Sequence, residues 1–443
     1  MSLWVRLRSS FWFVPAVLCL AAVVLAEGLI QVDQWIGDSD LGLVSTIITR
    51  VGESGSRDLL GAIAGSMLTV ASTTFSITIA VLALSSSTYG PRLVRNFLAD
   101  RGNQFVLGIF VATFLYSLMV LRSIRVIDEG DESYFVPHLA VNVAVLLAVA
   151  SIGVLVYFIH HISDSVQVWT LAQQVHTGLL RAVDRLYPTD SVRASGPTPD
   201  GTSSVEIPSS WAEGTAVVSD EAGYVQSIDI DHLVALAARR DQVIKLEVRP
   251  GEHVVKGRVL ARTWPPATED GSAAVRGAVH VGRARTPEED VEFAALLLEE
   301  MAVRALSPGT NDPYTAINAL DHLTSGLTVL AGRTLPSPRR YDGDGHLRVV
   351  APTVSLTDLL DHVIGAMRTY ALEHPTVLHR TLSLIDQVGD ACHDPALPPH
   401  LDGQVRDLLE AYEATSPHAR DLDAMTREAR RVREKLVASP PSR

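Results

Sequence analysis

The sequence predicts a two-part protein: an α-helical membrane domain of four transmembrane helices, then a cytoplasmic α+β region in which a small β module precedes a helical bundle. Three observations predict it. Long apolar runs crowd residues 1–161, and a stretch rich in Pro, Ser, Thr, Gly and Asp at 188–210 reads as a linker. Beyond the linker the pattern is that of water-soluble protein, first in short β-type runs (211–285) and then in helical periods (286–443).

Four stretches carry the membrane reading: about Phe11–Ile30, Leu59–Leu84, Phe105–Leu121 and Pro137–Ile159. Each approaches or exceeds the roughly 20 apolar residues that cross a bilayer. The first follows Arg6 and Arg8 as a signal peptide would, but no small-x-small cleavage pattern accompanies it, so it is read as an uncleaved span. Arg6 and Arg8, with Arg92, Arg95 and Arg101 between the second and third spans, mark the cytoplasmic side. The other two loops are richer in acid. Four spans then place both termini in the cytoplasm.

The second span is the most informative stretch. Between Leu59 and Pro91 it has no ionisable side chain, yet Thr69, Ser72, Thr73, Ser76 and Ser87 recur with Ala80 and Ala83 at helical steps. Such a face either packs tightly against a neighbouring helix or lines a hydrated path in an oligomer. The run after Pro91 puts Leu93, Val94, Phe97 and Leu98 on one side, with Arg92 and Arg95 elsewhere. That is the pattern of a short helix lying in the interface, its arginines near anionic headgroups. Glu27, close to the outer end of the first span, reads as an interfacial, solvated carboxylate.

From Ile162 the apolar period of the fourth span continues to Leu186, which predicts a helical stalk over 162–187. His160 and Asp164, one turn apart, are too few ligands for a metal site. Strands are expected at Thr215–Val218, Tyr224–Ile228, Val243–Val248, Val259–Trp264 and Ala278–Arg283, with one helix at Asp231–Arg239. Arg249–Ala261 resembles the turn-and-strand element of lipoyl- and biotinyl-type domains, but no Met-Lys pair is present, so a scaffold without covalent cofactor is expected.

The last third should be helical, with Pro287–Asp290 as the acidic first turn of a helix running to Ala305. Asp312 before Pro313 is an N-cap followed by proline at the first helical position. Around it Arg304, Ser307, Gly309, Asn311 and Asp312 form either a tight helix-turn-helix, with Gly309 taking the awkward backbone angle, or an anion site. A loop at Gly332–Gly345, a strand at Leu347–Val350 and helices at Leu356–Leu372, Thr376–Ala391 and Leu401–Leu436, broken near Pro417, complete the chain.

Several function classes fall away. A net charge of −13 is wrong for nucleic acid. Cys19 and Cys392 lie in different phases and cannot form a disulfide framework. There is no HExxH, Walker motif, dinucleotide fingerprint or nucleophile elbow, so no metal, cofactor or enzymatic activity is expected.

Two long motifs carry a family resemblance. They are Tyr89-x-Pro91-Arg92-Leu93-x-Arg95-x-Phe97, extended through Asp100-Arg101-x-x-Gln104-x-x-Leu107-Gly108, and Arg304-Ala305-Leu306-Ser307-Pro308-Gly309-x-Asn311-Asp312-Pro313-x-Thr315-Ala316. With Phe75-Ser76-Ile77 and Ser85-Ser86-Ser87, the chain resembles the predicted bacterial membrane proteins catalogued as domain of unknown function 2254. The resemblance implies an inner-membrane protein with a cytoplasmic domain and implies no activity. The residues themselves favour a homo-oligomeric channel or transport-related protein, its second span facing a central path for a small ion. The alternative is a membrane-anchored scaffold or sensor whose cytoplasmic part binds a protein or small ligand.

Overall fold

The computed structural model describes residues 12–37, 52–89, 101–128, 131–165, 167–187, 214–287, 289–333 and 337–438. The chain forms two compact units, Met1–Leu171 and Ala172–Arg443. The first contains α1 (Phe13–Gly37), α2 (Glu53–Tyr89), α3 (Arg101–Ser123), the hairpin β1 (Arg125–Asp128) and β2 (Asp131–Phe135), and α4 (His138–Ser165). All four helices are long and apolar enough to cross a membrane.

Within this unit α3 is the central helix. Of its most apolar window 56% is buried, against 22% for each of the others. Both α1 and α2 pack on it. Gly108 permits the α1 approach, since a Cβ there would stand 2.6 Å from Leu18 Cδ1 and 3.1 Å from Pro15 Cα. On α2 the buried face is Leu60, Ile63, Met67, Ala71, Thr74 and Thr78, recurring at three- and four-residue steps. The β1–β2 hairpin is absent from the sequence reading. Its strands are short and acidic, and only their antiparallel pairing, Arg125 with Phe135 and Val126 with Tyr134, makes them strands.

The expected continuous stalk is not one helix. α4 ends at Ser165, and α5 (Val168–Leu186) begins anew and packs along its apolar face within the second unit. Leu179 fills the space over Gly326, where a Cβ would come within 2.2 Å of its Cδ2. Asp184 and Arg185 pair with Arg333 and Glu289 at 2.5 and 2.9 Å. An amphipathic period alone does not distinguish a free stalk from a docked helix.

The second unit continues with β3 (Thr215–Val218), β4 (Gly223–Ile228), α6 (Ile230–Arg239), β5 (Val243–Leu246), β6 (His253–Val254), β7 (Val259–Trp264), α7 (Glu269–Gly277) and β8 (Val279–Gly282). Then follow α8 (Val291–Ala305), α9 (Pro313–Ala331), β9 (Arg339–Tyr341), β10 (Leu347–Val350) and α10 (Leu356–Tyr370). Three helices close the chain: α11 (Pro375–Ala391), α12 (Leu397–Ala414) and α13 (Ala419–Ala438).

The strands make two sheets, ordered β3-β7-β5-β10-β9 and β6-β4-β8. The β module therefore does not close at residue 285. β10, from beyond α9, enters the sheet parallel to β5, Val349 opposite Ile244, and its partner β9 lies where a loop was expected. Val217, Leu233, Ile244, Leu260 and Val349 are buried together beneath α6. Helix α8 starts later than its acidic run suggests, because Asp290 is the N-cap and not a first-turn residue. Its carboxylate accepts from Phe293 N and is clamped by Arg285 at 2.7 and 2.9 Å. The linker at 188–210 lies outside the described residues.

Candidate functional site

Helix geometry distributes the hydroxyls of α2. Thr69, Ser72, Thr73 and Ser76 are exposed on the surface of the four-helix unit, opposite the face that packs on α3. Their first need is met locally. Thr69, Thr73 and Ser76 donate to the carbonyls of Gly65, Thr69 and Ser72 at 2.9, 3.0 and 2.9 Å, the back-bonding available to Ser and Thr inside a helix. Gly61 and Gly65 extend the same face outward, with nothing near either Cα. Among the described residues, nothing covers this face. Ser87 falls in the last turns of α2, but its side chain lies outside the described part, as do Arg92 and Arg95 altogether. Arg101 is the exposed first residue of α3.

Glu27 stands well before the end of its helix. α1 does not stop near Ile30 but runs through Val32 and Trp35 to Gly37. The level of the helix ends is marked by Asp33, whose two carboxylate oxygens accept from Leu139 N and Ala140 N at 3.0 and 2.9 Å, capping α4 from another helix. Tyr116 OH donates to Ala140 O beside it at 2.9 Å. Glu27 is six residues further in, about 9 Å along the helix. It is exposed, beside Val24 and Gly28, with no hydrogen bond or ion pair among the described residues. The cap made by Asp33 has no local sequence signal, since donor and acceptor are far apart in the chain.

The Ser-Pro-Gly turn is built as a connector. Ser307 O accepts from Thr310 N and Asn311 N, Asp312 N reaches back to Ala305 O, and Asp312 caps α9 through Thr315 N at 3.1 Å and Thr315 Oγ1 at 2.6 Å. Those bonds, the hydroxyl of Thr315 foremost, hold the Asp312 carboxyl below the usual range. Arg304 is turned to Glu300 at 3.1 Å. Gly309 does not carry the awkward angle. Asn311 does, at φ +46°, and Gly309 has open space where a Cβ would be. Asn tolerates the left-handed region through its short polar side chain, so it takes the role the sequence reading gave to Gly309.

Other polar groups meet inside the second unit. His176 of α5 and His322 of α9 lie with ring centroids 4.9 Å apart, and His176 Nε2 is 3.1 Å from Ser325 Oγ. Burial lowers the pKa of both, and at His322 the neighbouring His176 lowers it further. Glu299 of α8, 8% exposed, is pushed up to about 7 by burial and by neighbouring Glu300. Its Oε1 is 3.5 Å from His362 Nε2. In the β9–β10 turn Asp342, Asp344 and His346 converge, but Asp342 is engaged by Arg348 at 2.6 Å and by the backbone N–H groups of Asp344 and His346.

A cavity of about 140 Å³ opens among the end of α5, the strands β4, β5 and β9, and the segment after β10. Its walls are mostly apolar, with Tyr187, Arg249, Glu289, Arg340 and Thr353 as the polar residues. Sequence reading missed it, because its walls come from six separate segments.

A family profile described as "Predicted membrane protein (DUF2254)" matches residues 8–387, from before α1 into α11. The chain belongs to this family. It is a membrane protein, and its four apolar helices are the candidate spans. The uncharacterized proteins Mb1321c of Mycobacterium bovis and Rv1290c of Mycobacterium tuberculosis are each 32% identical over 412 residues, covering 90% of this chain and 77% of their own. No solved structure matches. Both long motifs fall within the matched span of DUF2254, one at the Ser-Pro-Gly turn, the other leading into α3.

Proposed function

We propose that this DUF2254 member is a homo-oligomeric, channel- or transport-related protein of the bacterial inner membrane, with both termini cytoplasmic and the second unit serving assembly or gating. The observation that carries the reading is the exposure of Glu27 on the outside of the four-helix unit, well inside an apolar window. An acid near the middle of a span costs about 2.5–3.5 kcal/mol on insertion scales, and such residues ordinarily face a bundle interior or a water-filled path. A neighbouring copy would supply that cover. The hydroxyl face of α2 is the complementary surface: Gly61, Gly65 and Thr69 allow close backbone approach, and hydroxyls already bonded to their own helix can pack or line a path at little cost. A carboxylate on that path favours cations.

The test is cation flux into liposomes holding purified protein, with Glu27→Gln, Thr73→Val and Ser76→Leu as comparisons. The reading expects flux that Glu27→Gln reduces and Ser76→Leu blocks. Unchanged flux in all three variants, or none in the parent protein, sinks it.

A second reading rests on the cavity at Arg340. In it the chain is a membrane-anchored sensor whose second unit takes a small ligand. It expects ligand-dependent thermal stabilisation of the full chain and no flux.

A further inference from the structure

We infer that the cavity at Arg340 is a binding site for a small organic carboxylate with a compact apolar body, one ring or a short branched chain. Size sets the body. About 140 Å³ is close to the roughly 150 Å³ of an engineered apolar cavity that takes benzene, so the pocket suits an apolar body of about six carbons. The walls agree: Ile228, Ile230, Leu246, Val248 and Val354 give an apolar lining.

Charge sets the headgroup. Three ionisable side chains line the cavity besides Tyr187, and two of them are already engaged. Arg249 pairs with Glu252 at 3.3 Å and Glu292 at 3.5 Å, and Glu289 pairs with Arg185 at 2.9 Å. Arg340 differs. Its one hydrogen bond among the described residues goes to the Ser337 carbonyl, and Asp231 acts on it only from beyond ion-pair distance. A half-buried guanidinium facing an apolar cavity with no carboxylate paired to it is costly, and a ligand carboxylate would meet its planar fork with two parallel bonds. Tyr187, its phenol pushed up to about 12 mainly by burial, stays protonated at neutral pH and can donate to the same oxygen atoms.

This site is independent of whether the membrane unit conducts. The test is calorimetric titration of the full-length protein in detergent with benzoate and 4-methylpentanoate, against benzyl alcohol and 4-methylpentanol as neutral matches. Saturable binding of the acids is expected, at least about tenfold tighter than of the alcohols, as one charge-assisted pair implies. Arg340→Gln should remove that preference, and Val354→Phe, at a half-exposed loop position, should weaken acid and alcohol alike. Equal affinity for benzoate and benzyl alcohol in the parent protein overturns the proposal without any variant. So does benzoate binding unchanged by Arg340→Gln, or no saturable binding of either acid. None of these outcomes bears on flux through the membrane unit.

Discussion

The two units handle polar side chains in opposite ways. In the membrane unit Thr69, Thr73 and Ser76 stand on the outer surface of α2 and bond to their own helix, while Asp33, Tyr116 and the Thr113–Ser151 pair tie helices together. In the second unit polar groups bridge elements far apart in sequence, as Arg348 does between Asp241 and Asp342, or His400 with Asp361. The cause is the solvent each surface meets. A hydroxyl facing hydrocarbon has only its own carbonyls to bond, whereas water lets charged groups reach across seams and pay little when they fray. Glu27 in the first unit, and Arg340 and Glu299 in the second, break their own unit's rule, and such departures mark function more often than chance.

The largest effect should come from the clamp at the start of α8. Asp290→Ala removes the cap and leaves the Arg285 guanidinium, 20% exposed, facing Glu292 alone. A loss of about 3 kcal/mol is expected in denaturant unfolding of the full chain, and Asp290→Asn should recover part of it.

Glu299 tests burial of charge directly. Its folded pKa, about 7, lies above the ordinary glutamate value, so the neutral form is the one folding favours. That contribution is complete below the unfolded value near 4.3 and is lost as pH rises through 7. Glu299→Gln should therefore stabilise the protein at pH 8 by about 1–3 kcal/mol and leave it nearly unchanged at pH 4.5. A variant less stable than the parent at pH 8 would mean that the ionised carboxylate has a role in the fold.

In the membrane unit Asp33→Ala removes both acceptors from the start of α4. A loss of about 1–2 kcal/mol, read from thermal unfolding in detergent, is the size such caps carry.

The histidine pair has the opposite sign to Glu299. Folded pKa values lowered by burial mean that stability is present above the unfolded value and falls as pH drops through it. The facing groups are Ser325 on α9 and Asp321, which is itself paired to Arg380 of α11 at 2.8 Å. Relative to the parent, His176→Phe should flatten the loss of stability between about pH 6.5 and 5. Equal slopes would show that the His176 ring takes up its proton as readily in the folded chain as in the unfolded one.

The smallest effect sharpens the Ser-Pro-Gly turn. Gly309→Ala should be neutral or stabilise by up to about 1 kcal/mol, because open space surrounds it and its φ is ordinary. Asn311→Ala should cost about 1 kcal/mol and Asn311→Gly less, since only the latter enters the left-handed region freely.

Much of this was legible in the chain itself. The four apolar helices, most strand positions and the Asp312 cap follow from hydropathy, period and local capping chemistry, all of which act within a few residues. Residues 347–350 read as a strand, but nothing local says that they slot beside β5. The first span was expected to end near Ile30, whereas α1 runs on to Gly37 and leaves Glu27 well short of the helix end. The hydroxyl stripe was visible as a face, and only the packing of α2 on α3 decided which way it turns. His176 with His322, and Arg340 with its cavity, have no local signature at all. By itself, then, the sequence determined which segments are helices, which are strands, and which are apolar enough for a membrane, because backbone conformation and solvent preference are short-range properties. Only the tertiary structure decided which charges lack a partner, because a partner is a matter of distance in space, and in this chain that distance has little to do with order along it.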